Sequence, residues 1–181
     1  MTTLSGKKVA FVATDGYEDS ELTEPWRAVT DAGAEAVMIA PDNGVIEGKK
    51  QHRQPVDQIS GEADASEFDA LVLPGGVVNA DHLRMDEASV RFARGFFDAG
   101  KPVGVICHGA WLLIEADVVR GRTMTSYPSL RTDLRNADAD WVDQEVVVDN
   151  GLVSSRRPDD LPAFNAKLIE EIGEGEHPAA S

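Results

Sequence analysis

The sequence predicts an α/β fold in which helices cover both faces of a mostly parallel sheet. Short apolar runs rich in β-forming residues alternate with longer amphipathic stretches, and glycine-containing turns separate them. The 181 residues, 42% hydrophobic and 27% charged, suffice for one hydrophobic core. We therefore expect a single domain over residues 1–181, with an ordered core at 7–172 and a flexible tail at 173–181.

The first half of the chain supplies three strands and two helices. "KKVAFVA" predicts the first strand, and a helix over Leu22 to Asp31 follows the polar turn "TDGYEDSE" and stops at Gly33. "EAVMIAP" predicts the second strand, closed by an Asp-Asn-Gly turn. "FDALVLPGG" predicts a buried strand broken by Pro74 and two glycines, and "SVRFARGFFDAG" predicts a helix closed by Gly100.

The second half continues the alternation. "KPVGVIC" predicts a strand, and its partner helix begins near Gly109 and runs through "AWLLIEADVV". "GRTMTSYPSLRTDLRNAD" supplies a short strand and another helix. "EVVVDNGLVSS" predicts two strands paired across Asp149-Asn150-Gly151, a strong hairpin signal. A final helix starts after "RRPDD" and ends about Ile172.

Charge and cysteine content limit the partners and the compartment. Lys and Arg number 17 against 32 Asp and Glu, a formal net charge of -15, which argues against nucleic-acid backbones and anionic membranes as partners. One cysteine cannot form an internal disulfide, and the N-terminal apolar run is too short for a signal peptide or a membrane span. We expect a cytoplasmic protein.

Three turns at strand ends carry residues suited to chemistry. Ligands of open α/β sheets bind beyond the carboxyl ends of the strands, where "DGYEDSE", "PGGVVNADH" and "CHGAW" are predicted to lie. Cys107, placed between a strand and a helix with Gly109 two positions on, fits a nucleophile elbow, where a helix N-terminus favours the thiolate. The alternative is that Cys107 is a small core residue.

Neighbouring residues favour the catalytic interpretation. Glu18 can exchange a proton with the sulfur, and Gly75 and Gly76 can aim backbone N–H groups at a developing oxyanion. A solvated acidic loop and an ordinary turn are the alternatives. His108 is poorly placed as a base for the adjacent residue unless the turn bends sharply, and Asp81 could orient it, within one subunit or across an interface.

The segments "DGYEDSEL", "FDALVLPGG" and the long block from Val103 to Phe164 resemble the PfpI branch of the DJ/ThiJ/PfpI superfamily. The resemblance implies a flavodoxin-like three-layer sandwich, related to class I glutamine amidotransferases, and a homodimer or higher oligomer. It also implies roles for three residues: Cys107 as nucleophile, Glu18 as the buried glutamate that hydrogen-bonds it, and His108 as its histidine. An acid of a neighbouring subunit completes a triad in many members, and Asp81 stands in that loop.

Family activities implied by the resemblance are cysteine peptidase, cofactor-free glyoxalase, deglycase and stress chaperone. We expect a stress-response enzyme acting on a small carbonyl substrate or a glycated protein, since a thiolate, a carboxyl and backbone N–H groups suffice for that chemistry. The alternatives are a peptidase with a Cys-His-acid triad and a redox-sensing chaperone. No cofactor or metal is predicted, because the four histidines lack ligand spacing, and Trp111 is a candidate substrate contact.

Overall fold

A computed structural model describes residues 2–178, which excludes Met1 and residues 179–181. Seven of the eleven strands form one central sheet. The strands are β1 Lys8–Val12, β2 Glu35–Ala40, β3 Val45–Glu47, β4 Arg53–Pro55, β5 Gln58–Ile59, β6 Ala70–Leu73, β7 Val103–Ile106, β8 Thr123–Met124, β9 Asp140–Trp141, β10 Val146–Asp149 and β11 Leu152–Ser155. The α-helices are α1 Asp19–Asp31, α2 Val77–Leu83, α3 Glu87–Asp98, α4 Ala110–Glu115, α5 Arg131–Asn136 and α6 Leu161–Glu174.

The central sheet has the order β10-β11-β7-β6-β1-β2-β5 and is parallel except for β10. β1 lies between β2 and β6, β6 pairs with β7, and β7 pairs with β11, all in parallel register. The carboxyl ends of β1, β6 and β7 therefore lie side by side at one edge of the sheet. This confirms the predicted α/β class with its flavodoxin-like arrangement.

Two apolar layers sandwich the sheet, and the strands divide their side chains between them. Along β1, Val9 and Phe11 face the layer that includes Leu22 of α1, whereas Ala10 and Val12 face the opposite layer. This alternation is the period-2 pattern of a strand covered on both faces. Burial of these runs on both sides explains why the strands read as continuous apolar sequence.

Five of the observed strands and α-helices are absent from the sequence prediction. The β3–β4 hairpin, β5, β9 and α2 were not predicted, because their sequences lack the long apolar periodicity on which the prediction rests. The hairpin pairs Ile46 with Gln54, and its remaining strand positions are exposed. It nevertheless becomes part of the candidate site. The predicted hairpin across Asp149-Asn150-Gly151 is confirmed as β10–β11.

The C-terminal segment differs from the flexible tail expected at residues 173–181. Helix α6 continues to Glu174, and the His177 N–H donates to the Gly100 carbonyl at 2.7 Å. The His177 Nε2 atom also lies 3.1 Å from Glu171 Oε2. Residues 173–178 are therefore held against the body of the domain, and residues 179–181 lie outside the described part. Among the described helices, none combines the length and the apolar character needed to cross a bilayer.

Candidate active site

The three turns predicted to converge do meet at the carboxyl edge of the sheet. The Glu18 N–H donates to the Gly75 carbonyl at 3.3 Å, which joins the loop after β1 to the loop after β6. A methyl group placed on Gly75 would lie only 2.7 Å from Cys107 Cβ. The loop after β6 is thus pressed against the end of β7, and glycine is required there for lack of space.

Cys107 occupies a sharp turn between β7 and α4. Its φ is 61°, a left-handed conformation that residues other than glycine seldom adopt, and one 3-10 turn leads into α4. A Cβ on Gly109 would lie 2.8 Å from the Leu73 carbonyl oxygen, so the backbone passes β6 too closely for a side chain. These features confirm the predicted elbow. The residue is, however, only 7% exposed.

The acid beside the sulfur is Glu21 and not Glu18. Glu21 is fully buried in the first turn of α1, and its Oε1 accepts a hydrogen bond of 2.9 Å from the Gly75 N–H. Its carboxyl group lies beside Cys107, because a Cβ on Gly75 would be 2.6 Å from Glu21 Oε1 and 2.7 Å from Cys107 Cβ. A helix places residues i, i+4 and i+8 on one face, so Glu21 points inward with Pro25 and Val29. Glu18 precedes the helix as its N-cap residue, with an extended backbone conformation.

Burial keeps the Glu21 carboxyl in its protonated form at neutral pH. Desolvation raises its pKa from 4.5 to about 8, and the hydrogen bond from Gly75 opposes this only partly. The Oε2 atom is buried without a well-aligned hydrogen-bond partner in the described chain. An ionised oxygen in that position would have no hydrogen bond to offset its loss of hydration, which is a further reason for it to carry the proton.

Glu18 pairs with lysines and not with sulfur, which corrects the expected role. Its carboxylate contacts Lys49 Nζ, and Lys50 Nζ lies 3.1 Å from its Oε1 atom. Both lysines come from the turn between β3 and β4. Two buried acids therefore lie near the site: Glu21 beside Cys107, and Glu18 in contact with the two lysines.

The expected helix-induced lowering of the Cys107 pKa is not found. Burial, and next the negative charge that Glu21 would carry, raise the pKa of Cys107 to about 12. Backbone N–H groups of Gly76 and His108 face the sulfur and act in the opposite direction. When Glu21 holds its proton, the repulsion is absent and the carboxyl can donate to the sulfur. The Cys107–Glu21 pair can then carry a single negative charge.

The two predicted oxyanion donors, the Gly75 and Gly76 N–H groups, face different partners. The Gly75 N–H is occupied by Glu21, whereas the Gly76 N–H faces Cys107. Gly76 has a φ of 90°, and a Cβ there would lie 2.6 Å from the Gly16 carbonyl oxygen. Gly76 and the His108 N–H, which the sequence analysis did not consider, are therefore the donors nearest to the sulfur.

His108 contacts the sulfur because the elbow bends sharply. Its Nδ1 lies 3.2 Å from Cys107 Sγ, and its Nε2 lies 3.4 Å from Ser129 Oγ. The ring stacks on Tyr127 at a centroid distance of 4.6 Å. Burial, with a smaller contribution from the charge of Lys49, lowers the pKa of His108, so the imidazole is neutral at pH 7.

Asp81 and Trp111 lie outside the immediate surroundings of the Cys107 sulfur. Asp81 is exposed on α2, and no hydrogen bond or ion pair joins it to His108 within the described chain. A Cys-His-Asp arrangement is therefore not assembled inside one subunit. Trp111 packs edge-on against His108, and its indole N–H donates to Asp133 Oδ2 at 3.1 Å. It supports the histidine from the rim.

One group of possible metal ligands was not foreseen from the histidine spacing. Glu171, Glu174 and His177 bring ligand atoms within 4.8 Å of one another, at the end of α6 and far along the chain from Cys107. The contact of 3.1 Å between His177 Nε2 and Glu171 Oε2 accounts for this grouping, and it holds the C-terminal segment.

Comparisons with known proteins find one family and several similar sequences and structures. The sequence profile described as the DJ-1/PfpI family matches residues 7–171. "Protein/nucleic acid deglycase 2" of Escherichia coli is 47% identical over 170 residues, which cover 92% of this chain and 98% of the relative. "Putative cysteine protease YraA" of Bacillus subtilis is 44% identical over 164 residues, which cover 90% and 96%.

A solved structure with the same fold is a two-domain protein of Anabaena variabilis, with DJ-1/ThiJ/PfpI-like and ferritin-like domains. Its TM-score is 0.90 at 37% sequence identity, over 92% of this chain. The present chain spans about half of that protein, 48% of its length. The likeness therefore concerns one of the two domains named there.

Proposed function

Because the chain belongs to the DJ-1/PfpI family, we propose that it is a cysteine-dependent enzyme acting on reactive carbonyl compounds, of glyoxalase or deglycase type. The observation that carries this proposal is the fully buried Glu21 carboxyl, which the Gly75 N–H holds beside Cys107. A nucleophile and a proton donor that share one buried position are what addition to an aldehyde requires. The name of the E. coli relative, a deglycase, supports the same class.

The first chemical step is addition of sulfur to the carbonyl carbon. Because the pKa of Glu21 is about 8 and that of Cys107 is about 12, the first proton lost to solvent comes from Glu21. The reactive form arises when the Cys107 proton then moves to Glu21, so that the sulfur is a thiolate and Glu21 is a carboxylic acid. The S–C bond forms while the carbonyl π electrons move to oxygen, and Glu21 gives its proton to that oxygen. The product is a hemithioacetal beside an ionised Glu21, with the Gly76 and His108 N–H groups near the new oxygen.

The second step uses the ionised Glu21 as a base. With a 2-oxoaldehyde such as methylglyoxal, Glu21 removes the hydrogen from the carbon that bears sulfur, and an enediolate forms with its negative charge on the oxygen of the neighbouring carbon. Glu21 then returns the proton to the neighbouring carbon, while the hydroxyl proton on the sulfur-bearing carbon passes to the neighbouring oxygen, which leaves a thioester. Water hydrolyses the thioester, releasing a 2-hydroxy acid and restoring the thiol. No external oxidant is needed, because one carbon is oxidised as its neighbour is reduced.

Peptide hydrolysis is the second candidate, favoured by one contact. His108 Nδ1 lies 3.2 Å from the sulfur, a distance at which a histidine can act as base. Hydrolysis of an amide also needs an orienting acid and room for an extended chain. Asp81 does not reach His108 within the subunit, and Cys107 is nearly closed to solvent. These features favour a small substrate.

A homodimer remains our expectation for the assembly. Val77 and Val78 are large apolar residues that lie about half exposed on α2, next to the Gly75-Gly76 loop. Asp81 is on the same helix. A second copy of the chain covering this surface would bury the valines, and it would bring an acid from one subunit near the site of the other.

The proposal is tested by assaying purified wild type and Cys107→Ala in parallel on methylglyoxal, a glycated amino acid and an unfolded peptide. We expect the wild type to consume the two carbonyl substrates and Cys107→Ala to show only the background rate, because the nucleophile is gone. Peptide cleavage that disappears in Cys107→Ala would select the peptidase instead. Oxidation of Cys107 at low peroxide without carbonyl turnover would select the redox sensor and refute the proposal.

A further inference from the structure

A lysine stands at the rim of the site that holds Cys107. Lys49, in the turn between β3 and β4, contacts the Glu18 carboxylate with its Nζ, and its side chain is 52% exposed. Glu18 is in turn bonded to Gly75, which packs against Cys107. The lysine is therefore half exposed to solvent and is linked through Glu18 to the loop beside the reactive group.

The backbone around Lys49 is fixed to the loops that build the site. The Lys49 N–H donates to the Tyr17 carbonyl at 2.9 Å, and the Gly16 N–H donates to the Glu47 carbonyl at 2.8 Å. These bonds join the β3–β4 hairpin to the loop after β1. That loop is in turn bonded to Gly75 through Glu18. The position of Lys49 relative to Cys107 is thus set by the same contacts that shape the elbow's surroundings.

The side chain of Asp19 holds the other end of the hairpin turn. Its carboxylate accepts the Lys50 N–H at 2.7 Å and the His52 N–H at 2.8 Å. The Tyr17 hydroxyl donates to the His52 carbonyl at 2.9 Å. An exposed turn anchored at both ends presents its lysine in a defined place, which a freely moving surface lysine does not.

Two lysines, Lys49 and Lys50, contact the Glu18 carboxylate, and the nearby Glu21 is uncharged at neutral pH. The Asp19 carboxylate accepts hydrogen bonds from the same turn, so two carboxylates balance the two lysine charges. The Lys49 side chain is nevertheless half exposed, so its ammonium group is available to attract an anionic ligand.

We propose that Lys49 is a specificity-determining residue that binds an anionic group on the substrate, so that the site favours carbonyl compounds bearing a carboxylate over neutral ones. The ammonium group pairs with the carboxylate while the carbonyl carbon reaches Cys107. This inference rests on the proposed function in one respect, which is that Cys107 is the reacting group. The substrate class is defined by the anionic group that the compound carries in addition to its carbonyl.

Two alkylating reagents test the charge at the site without any turnover. Iodoacetate is anionic and iodoacetamide is neutral, and with both the thiolate forms an S–C bond while iodide leaves. The measured quantity is the ratio of their alkylation rates at Cys107, the single cysteine of the chain. We expect Lys49→Met to lower this ratio about three- to tenfold, which is the effect of one unit charge several ångströms away in a partly solvated site.

Two further variants control for folding and for net charge. Lys49→Arg keeps the charge and is expected to keep the wild-type ratio. Lys167→Met removes one charge from α6, where Lys167 pairs with Glu170, and is expected to leave the ratio unchanged. Salt at about 1 M should lower the ratio in the wild type but have little effect in Lys49→Met, because it screens the contribution of Lys49.

The outcomes separate this inference from the proposed function. A wild type in which neither reagent modifies Cys107 would overturn the proposed function, and the inference with it. Normal iodoacetamide reactivity with an unchanged ratio in Lys49→Met would overturn the role of Lys49 alone. A lowered ratio in Lys49→Met, restored in Lys49→Arg, supports the inference.

Discussion

Glutamine in place of Glu21 is expected to lower the kcat for methylglyoxal by at least about 100-fold, the usual contribution of a positioned acid and base. Glutamine fills the same space and can accept the Gly75 N–H, but it cannot give a proton to the hemithioacetal oxygen or remove one from carbon. Cys107 itself should remain open to iodoacetamide, since the repulsion by an ionised Glu21 is also removed. Loss of turnover with retained alkylation is the distinguishing result.

Glu24→Gln is the matched control for this experiment. Glu24 lies one turn along α1 on a partly exposed face, where it pairs with Arg27 at 3.8 Å. The same loss of a carboxylate there should leave kcat within about twofold of the wild type, because surface ion pairs contribute little. Turnover in Glu21→Gln that matches the control would show that Glu21 is not the proton carrier.

Gly75→Ala is expected to damage both stability and activity. The added methyl group would lie 2.6 Å from Glu21 Oε1, 2.7 Å from Cys107 Cβ and 2.8 Å from the Ile106 carbonyl oxygen. Overpacking of this kind costs about 1–3 kcal/mol, which corresponds to a fall in Tm of roughly 2–10 °C for a domain of this size. The displaced Glu21 and Cys107 should also lose carbonyl turnover.

Gly61→Ala is the control for Gly75→Ala. No atom lies within 4 Å of a Cβ built on Gly61, and its φ is outside the left-handed region. Its Tm is expected to stay within about 2 °C of the wild type, since an alanine there meets neither crowding nor strain. A Gly75→Ala variant as stable and as active as Gly61→Ala would contradict the described packing.

The sequence allowed the sheet and the elbow to be predicted because both depend on local pattern. Strand and helix periodicities alternate regularly, and the strained Cys107 is marked by the glycine two positions on. The assignment of the acid was wrong because several carboxylates crowd the first loop and helix. Glu18 and Glu21 are both buried, and they differ in contacts that local spacing does not reveal: the Gly75 N–H bonds to Glu21, whereas the lysines contact Glu18.

Other parts of the site depend on contacts distant in the sequence. Lys49 reaches Glu18 from a hairpin whose polar residues give no strand signal, so nothing in the local pattern predicts it. The raised pKa of Cys107 follows from burial by neighbouring loops, whereas the local pattern indicated only a helix start. The contact between His108 and the sulfur follows from the turn angle at Cys107, which sequence does not provide.

The pH dependence of unfolding tests the central claim, that Glu21 is uncharged beside the sulfur at neutral pH. Its pKa is raised from 4.5 to about 8 in the folded protein, so its contribution to stability is complete below the unfolded pKa and is lost as pH rises. Subtracting the values for Glu21→Gln removes the contributions of other groups.

The measurement is the free energy of unfolding of wild type minus that of Glu21→Gln between about pH 5 and 8, by denaturant titration. We predict that this difference falls as pH rises, by up to about 1.4 kcal/mol per pH unit. A difference that stays constant, or that increases with pH, would show that Glu21 is ionised in the folded protein and would contradict the account.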